Sequence, residues 1–514
     1  MSLSNSSGTI RGSGFTPSER YLASLADKAF LRLWSYPNTF IDRKQNGKGD
    51  GKEFIDLTVV FDNDVLLFSD KYIEWPGVAD INLAWSRWYR RAVEGSVKQI
   101  NGAARWLEEN EGRLFLDPAC SVPFPVPIPK SNDRRIHGIA IASGATEACK
   151  GFFSDESGTF PIMPSVSGPA HVDSTNPQYL PFSIGDVNPG KVFVHVFDRS
   201  AIDVVLSELD TIQDFVEYLQ KRSEFLRSGT LAMAAGEEEL LALYLQSSSD
   251  TEQRSFLPTR LAAEASDASI VIPSGEYQNL QNRPEYLRKI EADKVSYFWD
   301  RLIENFIEHV LAGTAVTILD IDPEIHLAER ALRIMAGENR LYRRALGHSI
   351  SDAMTRAEFA KSPRYVRNIL PLPGAKERRV GYVFLILAYP GDEAVPEGYR
   401  QYRQVRATML EAYCFNLFEM RSDLEFVVGV GIDASPEVTG RAGGSEDLMA
   451  MVKPEWDDEL RKRLKDSREH FGFLAKEKLE EVRFSDFEYP DEQSKKLTRQ
   501  QKRAADREAR KRAR

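Results

Sequence analysis

The stretch from Gly51 to Lys71, GKEFIDLTVVFDNDVLLFSDK, limits the fold more than any other part of the chain. Two apolar runs flank Asp62 and Asn63, residue types that tolerate the backbone of a tight turn, so a β-hairpin is predicted. Charge breaks the apolar pattern in two places. Asp56 stands between Ile55 and Leu57 in the first run, and the second run ends in Asp70 and Lys71. A buried acid needs a partner, so Asp56 is the more telling of the two. If Asp62 and Asn63 alone form the loop, Asp56 faces Ser69, while Ser69 and Lys71 share its face and Asp70 points away. A three-residue loop, Asp62 to Asp64, instead brings Asp70 opposite Asp56 and turns Lys71 aside. The sequence leaves both registers open, and in either one Asp56 lies within one or two residue steps of the Asp70 and Lys71 end.

The segments around the hairpin supply the rest of a core. TPSERYLASLADKAFLRLW begins with Thr16, Pro17 and Glu19, a capping box with proline at the first helical position, and predicts a helix from about Pro17 to Trp34. Leu22, Leu25, Ala26, Ala29, Phe30 and Leu33 form its buried stripe. A short extended piece, NTFI, and the polar loop DRKQNGKGDGK lead into the hairpin. After a Trp-Pro-Gly break, a long helix is predicted from about Asn82 to Glu108, then a proline-rich loop and the strand IHGIAIAS. The order is helix, strand, strand, strand, helix, strand.

Farther along, Ser154 to Gly190 lacks periodicity and reads as an irregular excursion. KVFVHVFD is a strand, followed by helices over AIDVVLSEL, DTIQDFVEYLQKR and EEELLALYLQ. The stretch from about Tyr286 to Ala360 is mainly helical. VGYVFLILAY, QYRQVRATMLEAYCFNLF and LEFVVGVGI read as strand, helix, strand, a second α/β unit. The predicted divisions are a polar N-terminus (1–15), a core (16–150), an extension of it (151–235), a helical region (236–365), a C-terminal α/β domain (366–485) and a basic tail (486–514). The fold class is α/β, mixed α+β.

Composition narrows the setting. A chain of 514 residues exceeds what one hydrophobic core usually serves. It has no apolar run near the roughly 20 residues that cross a bilayer, and its small, polar first residues lack the apolar centre of a secretory signal, so a cytoplasmic location and no membrane contact are expected. Cys120, Cys149 and Cys414 are too scattered for a disulfide framework or a zinc site. The net charge of −10 argues against wholesale coating of nucleic acid, although the last twenty residues carry ten Lys/Arg against two acids.

A close carboxylate pair is relieved by a hard divalent cation, and oxygen ligands with open water positions suit Mg²⁺. A lysine beside it can orient or deprotonate water and stabilise charge on a phosphate. Phosphodiester hydrolysis uses that chemistry. The arrangement resembles the PD-(D/E)XK nuclease superfamily, particularly its NERD-type and RecB-like members, which carry an acid on one core strand, acid-x-lysine on the next, and often a helical glutamine. GKEFIDLTVVF supplies Asp56, VLLFSDKY supplies Lys71, and SVKQINGA supplies Gln99. The element order agrees over about Pro17 to Ser143. One position departs from the pattern: Ser69 stands where the family has its acid, so Asp70, Glu53 or Glu19 would have to contribute the carboxylate.

The resemblance implies a restriction-endonuclease-like core and a metal-dependent nuclease. Asp56 and Asp70 would ligate Mg²⁺ or Mn²⁺ with help from Glu53, Lys71 would position the attacking water, and Gln99 would hold the backbone or the lysine. DNA is favoured over RNA as the partner. By analogy with large bacterial proteins that join such a core to other domains, a role in defence against phage or plasmids is entertained. A partner protein or a second copy of the chain is compatible with this. The alternative is a catalytically inactive nuclease-like scaffold that binds nucleic acid or a partner protein.

Other features have plainer accounts. Asp70 and Lys71 could simply end a strand in solvent, and Gln99 could bond only across its helix. Arg87, Arg90, Arg91 and Lys98 give that helix a basic flank, a feature that is usually just solvated. Asp42, Asn46, Gly47, Asp50 and Glu53 fall on EF-hand positions, but Lys44 occupies a ligand position and a strand follows, so calcium binding is rejected. His137 and His195 lie in apolar strands as satisfied core residues. GRAGGSED lacks the ending of a phosphate-binding loop and reads as a mobile loop.

Overall fold

The hairpin loop takes the two-residue form. Phe61 pairs with Asp64, Val60 with Val65 and Leu57 with Phe68, and Asp62 adopts the positive φ of 51° that such a turn asks of an Asp or Asn. A computed structural model describes residues 11–42, 51–110, 113–154, 158–246, 254–256, 269–312, 325–360, 363–370, 379–391, 398–434, 445–472 and 487–490. Most of the EF-hand-like loop, the glycines of GRAGGSED and most of the basic tail lie outside them. The chain is mixed α/β and divides into two units, Thr9–Glu291 with Phe487–Arg514, and Ala292–Asp486 with Met1–Gly8.

The first unit opens with α1 (Pro17–Phe30), β1 (Ser35–Ile41), β2 (Lys52–Phe61), β3 (Asp64–Tyr72), α2 (Ile81–Tyr89), α3 (Gly95–Glu109), β4 (Leu114–Phe115) and β5 (Arg135–Ser143). Apart from the added β4, this is the order expected from the sequence. Thr16 caps α1 by accepting the Glu19 N–H, as its capping box implies. The helix is shorter than its apolar stripe because Leu31 takes φ 63° and breaks it; Leu33 and Trp34 stay buried, in the turn that leads to β1. Between α2 and α3, residues Arg90–Glu94 form a π-helical turn inside one continuous helix.

Then follow α4 (Thr146–Phe153), β6 (Val194–Phe197), α5 (Arg199–Glu208), α6 (Ile212–Arg227), β7 (Leu231–Ala234), α7 (Glu237–Gln246), β8 (Ile270–Ile272), α8 (Glu276–Gln281) and α9 (Pro284–Asp293). Six strands form one sheet in the order β4-β1-β2-β3-β5-β6. The strands β1, β2 and β3 are antiparallel neighbours, whereas β3, β5 and β6 run parallel. The parallel trio therefore ends together near Lys71, Ser143 and Phe197. Gly144, at φ 108°, lets two chain segments cross there, since a Cβ on it would lie 2.1 Å from the Ile73 carbonyl oxygen.

Successive β3 residues reveal which helix covers which face. The Ser69 hydroxyl donates to Gln99 of α3, and its neighbour Asp70 accepts from Ser18 of α1. Side chains alternate along a strand, so α1 and α3 cover opposite faces. Phe30 and Phe68 pack on the α1 side with ring centroids 6.0 Å apart. The two strand histidines are satisfied core groups: His137 meets Asp64 at 2.8 Å, and His195 lies within a fully buried cluster with Arg222.

In the second unit, α10 (Tyr297–Leu311), α11 (Ile325–Ala336) and α12 (Arg340–Ala360) precede β9 (Arg364–Ile369), β10 (Val380–Leu387), α13 (Tyr399–Met420), β11 (Phe426–Asp433), β12 (Glu446–Val452) and α14 (Asp458–Phe471). The expected strand, helix, strand unit is present: β10 and β11 are parallel, joined through α13, with β9 and β12 antiparallel at the edges. Arg406 of α13 is fully buried and ion-paired with Asp433 and Asp447, which satisfies the charges within that unit. Among the described residues no helix is long and apolar enough to cross a membrane.

Candidate functional site

The register puts Asp56 level with Ser69, so Lys71 shares its face and Asp70 does not. Asp56 Oδ2 accepts the Asp70 backbone N–H at 2.6 Å, and Oδ1 accepts from Gln99 Nε2 at 3.1 Å. Gln99 Oε1 in turn accepts from the Ser69 hydroxyl at 3.0 Å. The chain Ser69 to Gln99 to Asp56 ties β3, α3 and β2 together at one point. Gln99 thus holds the acid, whereas the resemblance implied that it would hold the backbone or the lysine.

Asp70 departs further from expectation. Its carboxylate accepts from Ser18 Oγ at 2.6 Å on the α1 face, where Arg199 Nη2 also donates to Ser18 at 2.8 Å. Burial raises the Asp70 pKa, against the opposing effects of Ser18 and the Arg199 charge. The structure therefore does not bring the Asp56 and Asp70 carboxylates together as a ligand pair; strand alternation separates them.

Two other acids gather near Asp56. Asn38 falls between the pairs Pro37 with Leu57 and Thr39 with Ile55, level with Asp56 on the neighbouring strand, and has φ 49°. Its amide donates to Glu19 at 2.9 Å and to Glu53 at 3.0 Å. Sequence reasoning missed Asn38. The available signal was an asparagine after proline in a short extended segment, a residue poorly suited to a strand but tolerant of a left-handed backbone. Burial tends to raise the Glu19 pKa, but hydrogen bonds from Asn38, the Phe15 N–H and Thr16 outweigh it and hold the carboxyl below its usual value.

Asp56 has no such surplus of donors. Burial pushes its pKa up to about 6, the two hydrogen bonds pull it down, and the Glu53 and Glu19 charges push it up again. Lys71 is shifted downward by burial, against the attraction of Asp56. Its Nζ lies against Gly95, the first residue of α3: a Cβ built there would be 2.9 Å from the ammonium. Among the described residues Lys71 makes no hydrogen bond and no ion pair.

The sign of the Asp56 shift sets a pH dependence. The folded protein holds the Asp56 proton more tightly than the unfolded chain, so this residue's contribution is fully present below the usual carboxylate pKa and is lost as pH rises through about 6. Between pH values of about 4 and 7, Asp56→Asn is expected to remove a decline on the order of 2–3 kcal/mol from the unfolding free energy. Asp198, fully buried and raised to about 7, adds a decline of the same sign to both proteins. Urea unfolding of the pair across this range isolates the Asp56 part, and parallel pH profiles would contradict the burial assigned to it.

Carboxylate oxygens are the donors that Mg²⁺ takes. Among the described residues no group of three or more His, Cys, Asp or Glu is close enough to hold an ion unaided. The acids gathered here therefore do not form an all-protein cage for an ion. Glu53 and Glu19 are the acids nearest in charge effect to Asp56. No protein-family model, curated protein or solved structure matches this chain.

Proposed function

We propose that the first unit is a metal-dependent nuclease that hydrolyses phosphodiester bonds, with DNA as the favoured substrate. The observation that carries this reading is a half-buried carboxylate, Asp56, on the same sheet face as an amine that has no ion-pair partner among the described residues, Lys71, at the carboxyl end of the parallel strands. Asp56 would hold Mg²⁺ or Mn²⁺, with Glu53 or Glu19 adding a carboxylate; the bound cation would offset charge on the scissile phosphate. Gln99 fixes the Asp56 carboxylate, and Gly95 leaves room for the Lys71 amine to orient water and meet developing negative charge. Ser69 takes the place of the family acid and serves instead as a donor to Gln99.

That same serine favours a second reading, an inactive scaffold that binds nucleic acid without cutting it. Metal dependence separates the two. Incubation of the full chain with labelled single- and double-stranded DNA and RNA, in Mg²⁺, Mn²⁺ or chelator, is expected to yield divalent-dependent cleavage. A rise in wild-type thermal midpoint with millimolar Mg²⁺ that disappears in Asp56→Ala is the companion readout. Binding with no cleavage under any metal would establish the scaffold reading instead.

A further inference from the structure

We infer that the continuous helix formed by α2, the π-helical turn and α3 presents a row of arginines that follows the phosphate backbone of a nucleic acid. This rests on the nuclease or scaffold reading for its partner and identifies the surface that would hold it. Arg87 and Arg91, four residues apart, share one line of the exposed side with Gly95 and Gln99, while Arg90, Lys98 and Arg105 stand on the neighbouring line, because the π-helical turn shifts the helical phase between Arg91 and Lys98. All five basic residues are exposed. Arg87 and Arg105 lie 18 residue steps apart, roughly 27 Å at the helical rise. The row flanks Gly95 and Gln99, which meet Lys71 and Asp56.

Clustering together with the lack of partners distinguishes this row: among the described residues Arg32 and Arg283 also have no side-chain partner, but each stands singly in the sequence. Elsewhere in the unit, Arg11, Arg113, Arg135, Arg222, Arg227 and Arg254 are each ion-paired with an Asp or Glu. Among the described residues, Arg87, Arg90, Arg91 and Arg105 have no side-chain hydrogen bond or ion pair. Glu94 approaches Lys98 at 3.9 Å, an exposed contact worth little, and Glu108 and Glu109 follow Arg105 without bonding it. In a chain of net charge −10, four uncompensated guanidinium groups beside the acid and lysine of one site match a polyanion. The π-helical turn lies between Tyr89 and Gly95, inside the row, and such turns occur often at functional sites.

The test measures binding of the full chain to fluorescent single- and double-stranded DNA by anisotropy, in chelator so that no cleavage intervenes, over a series of salt concentrations. Each phosphate contact contributes about 0.7–0.9 to the slope of log K against log salt. The triple variant Arg87→Ala, Arg91→Ala, Arg105→Ala is expected to flatten that slope by about 2 to 3. A control, Arg32→Ala with Arg283→Ala, removes two arginines off the row and is expected to leave the slope unchanged. An unaltered slope in a folded triple variant, equal losses in the control, or no binding by the wild type would each overturn the inference. Binding that depends on the row without any metal-dependent cleavage would uphold it while ending the nuclease reading.

Discussion

Asp56→Ala and Lys71→Ala are each expected to lower divalent-dependent cleavage by about 10²–10⁴-fold, the range over which a positioned charge or proton-transfer group acts. The two losses differ in kind. Asp56→Ala removes the candidate anchor for the cation and leaves Gln99 Nε2 and the Asp70 N–H without their acceptor, so metal affinity falls along with the rate. Lys71→Ala breaks no hydrogen bond among the described residues, so it leaves the fold and the metal response intact and lowers the rate alone. Gly95→Ala sharpens the distinction: the atom its new Cβ meets is the end of a flexible side chain, so the amine moves while the thermal midpoint holds. Rate measurements beside thermal melts check all three. Cleavage that survives in both the Asp56 and the Lys71 variants would end the site assignment.

Arg222→Met is expected to destabilise the protein by about 3–5 kcal/mol, the usual cost of removing one member of a buried ion pair. Arg222 of α6 is 1 % exposed and bonds Glu237 of α7 through Nε at 2.8 Å and Nη2 at 2.7 Å. Tyr218 donates to the same carboxylate at 2.5 Å, and His195 Nδ1 lies 3.3 Å from Arg222 Nη1. Without the guanidinium, Glu237 would keep one hydroxyl against a full buried charge. Adding Glu237→Leu in the same chain removes that charge, so the double variant is expected to recover most of the loss. Chemical denaturation of the four proteins of this cycle provides the check, and additive losses would show that the pair acts as two separate groups.

Local features in this chain were legible where one element sufficed to decide them. The Thr16 to Glu19 box marked the start of α1, Asp62 and Asn63 marked the hairpin turn, and the long helix from about Asn82 and the strand, helix, strand order around α13 were read from their residue runs. Where the stripe of α1 ran past Leu31, apolar periodicity misled, because the turn after the helix is as buried as the helix itself. The candidate site was only partly legible. Asp56, Lys71 and Gln99 stood out as charged or amide groups set among core formers. Asn38 and Gly95 did not, since neither bears on the site until β1 lies beside β2 and α3 crosses over β3.

The amino-acid sequence by itself determined that a hairpin would carry Asp56 on one arm and Lys71 at the end of the other, because turn chemistry and apolar alternation are local properties. Only the tertiary structure decided which acids share the lysine's face. A one-residue change in loop length exchanges the two faces of a strand, and here the two-residue loop sends Asp70 to Ser18 and leaves Asp56 to Gln99. The arrival of Glu19 and Glu53 at one asparagine was likewise settled by packing, since their strand and helix come from separate parts of the chain.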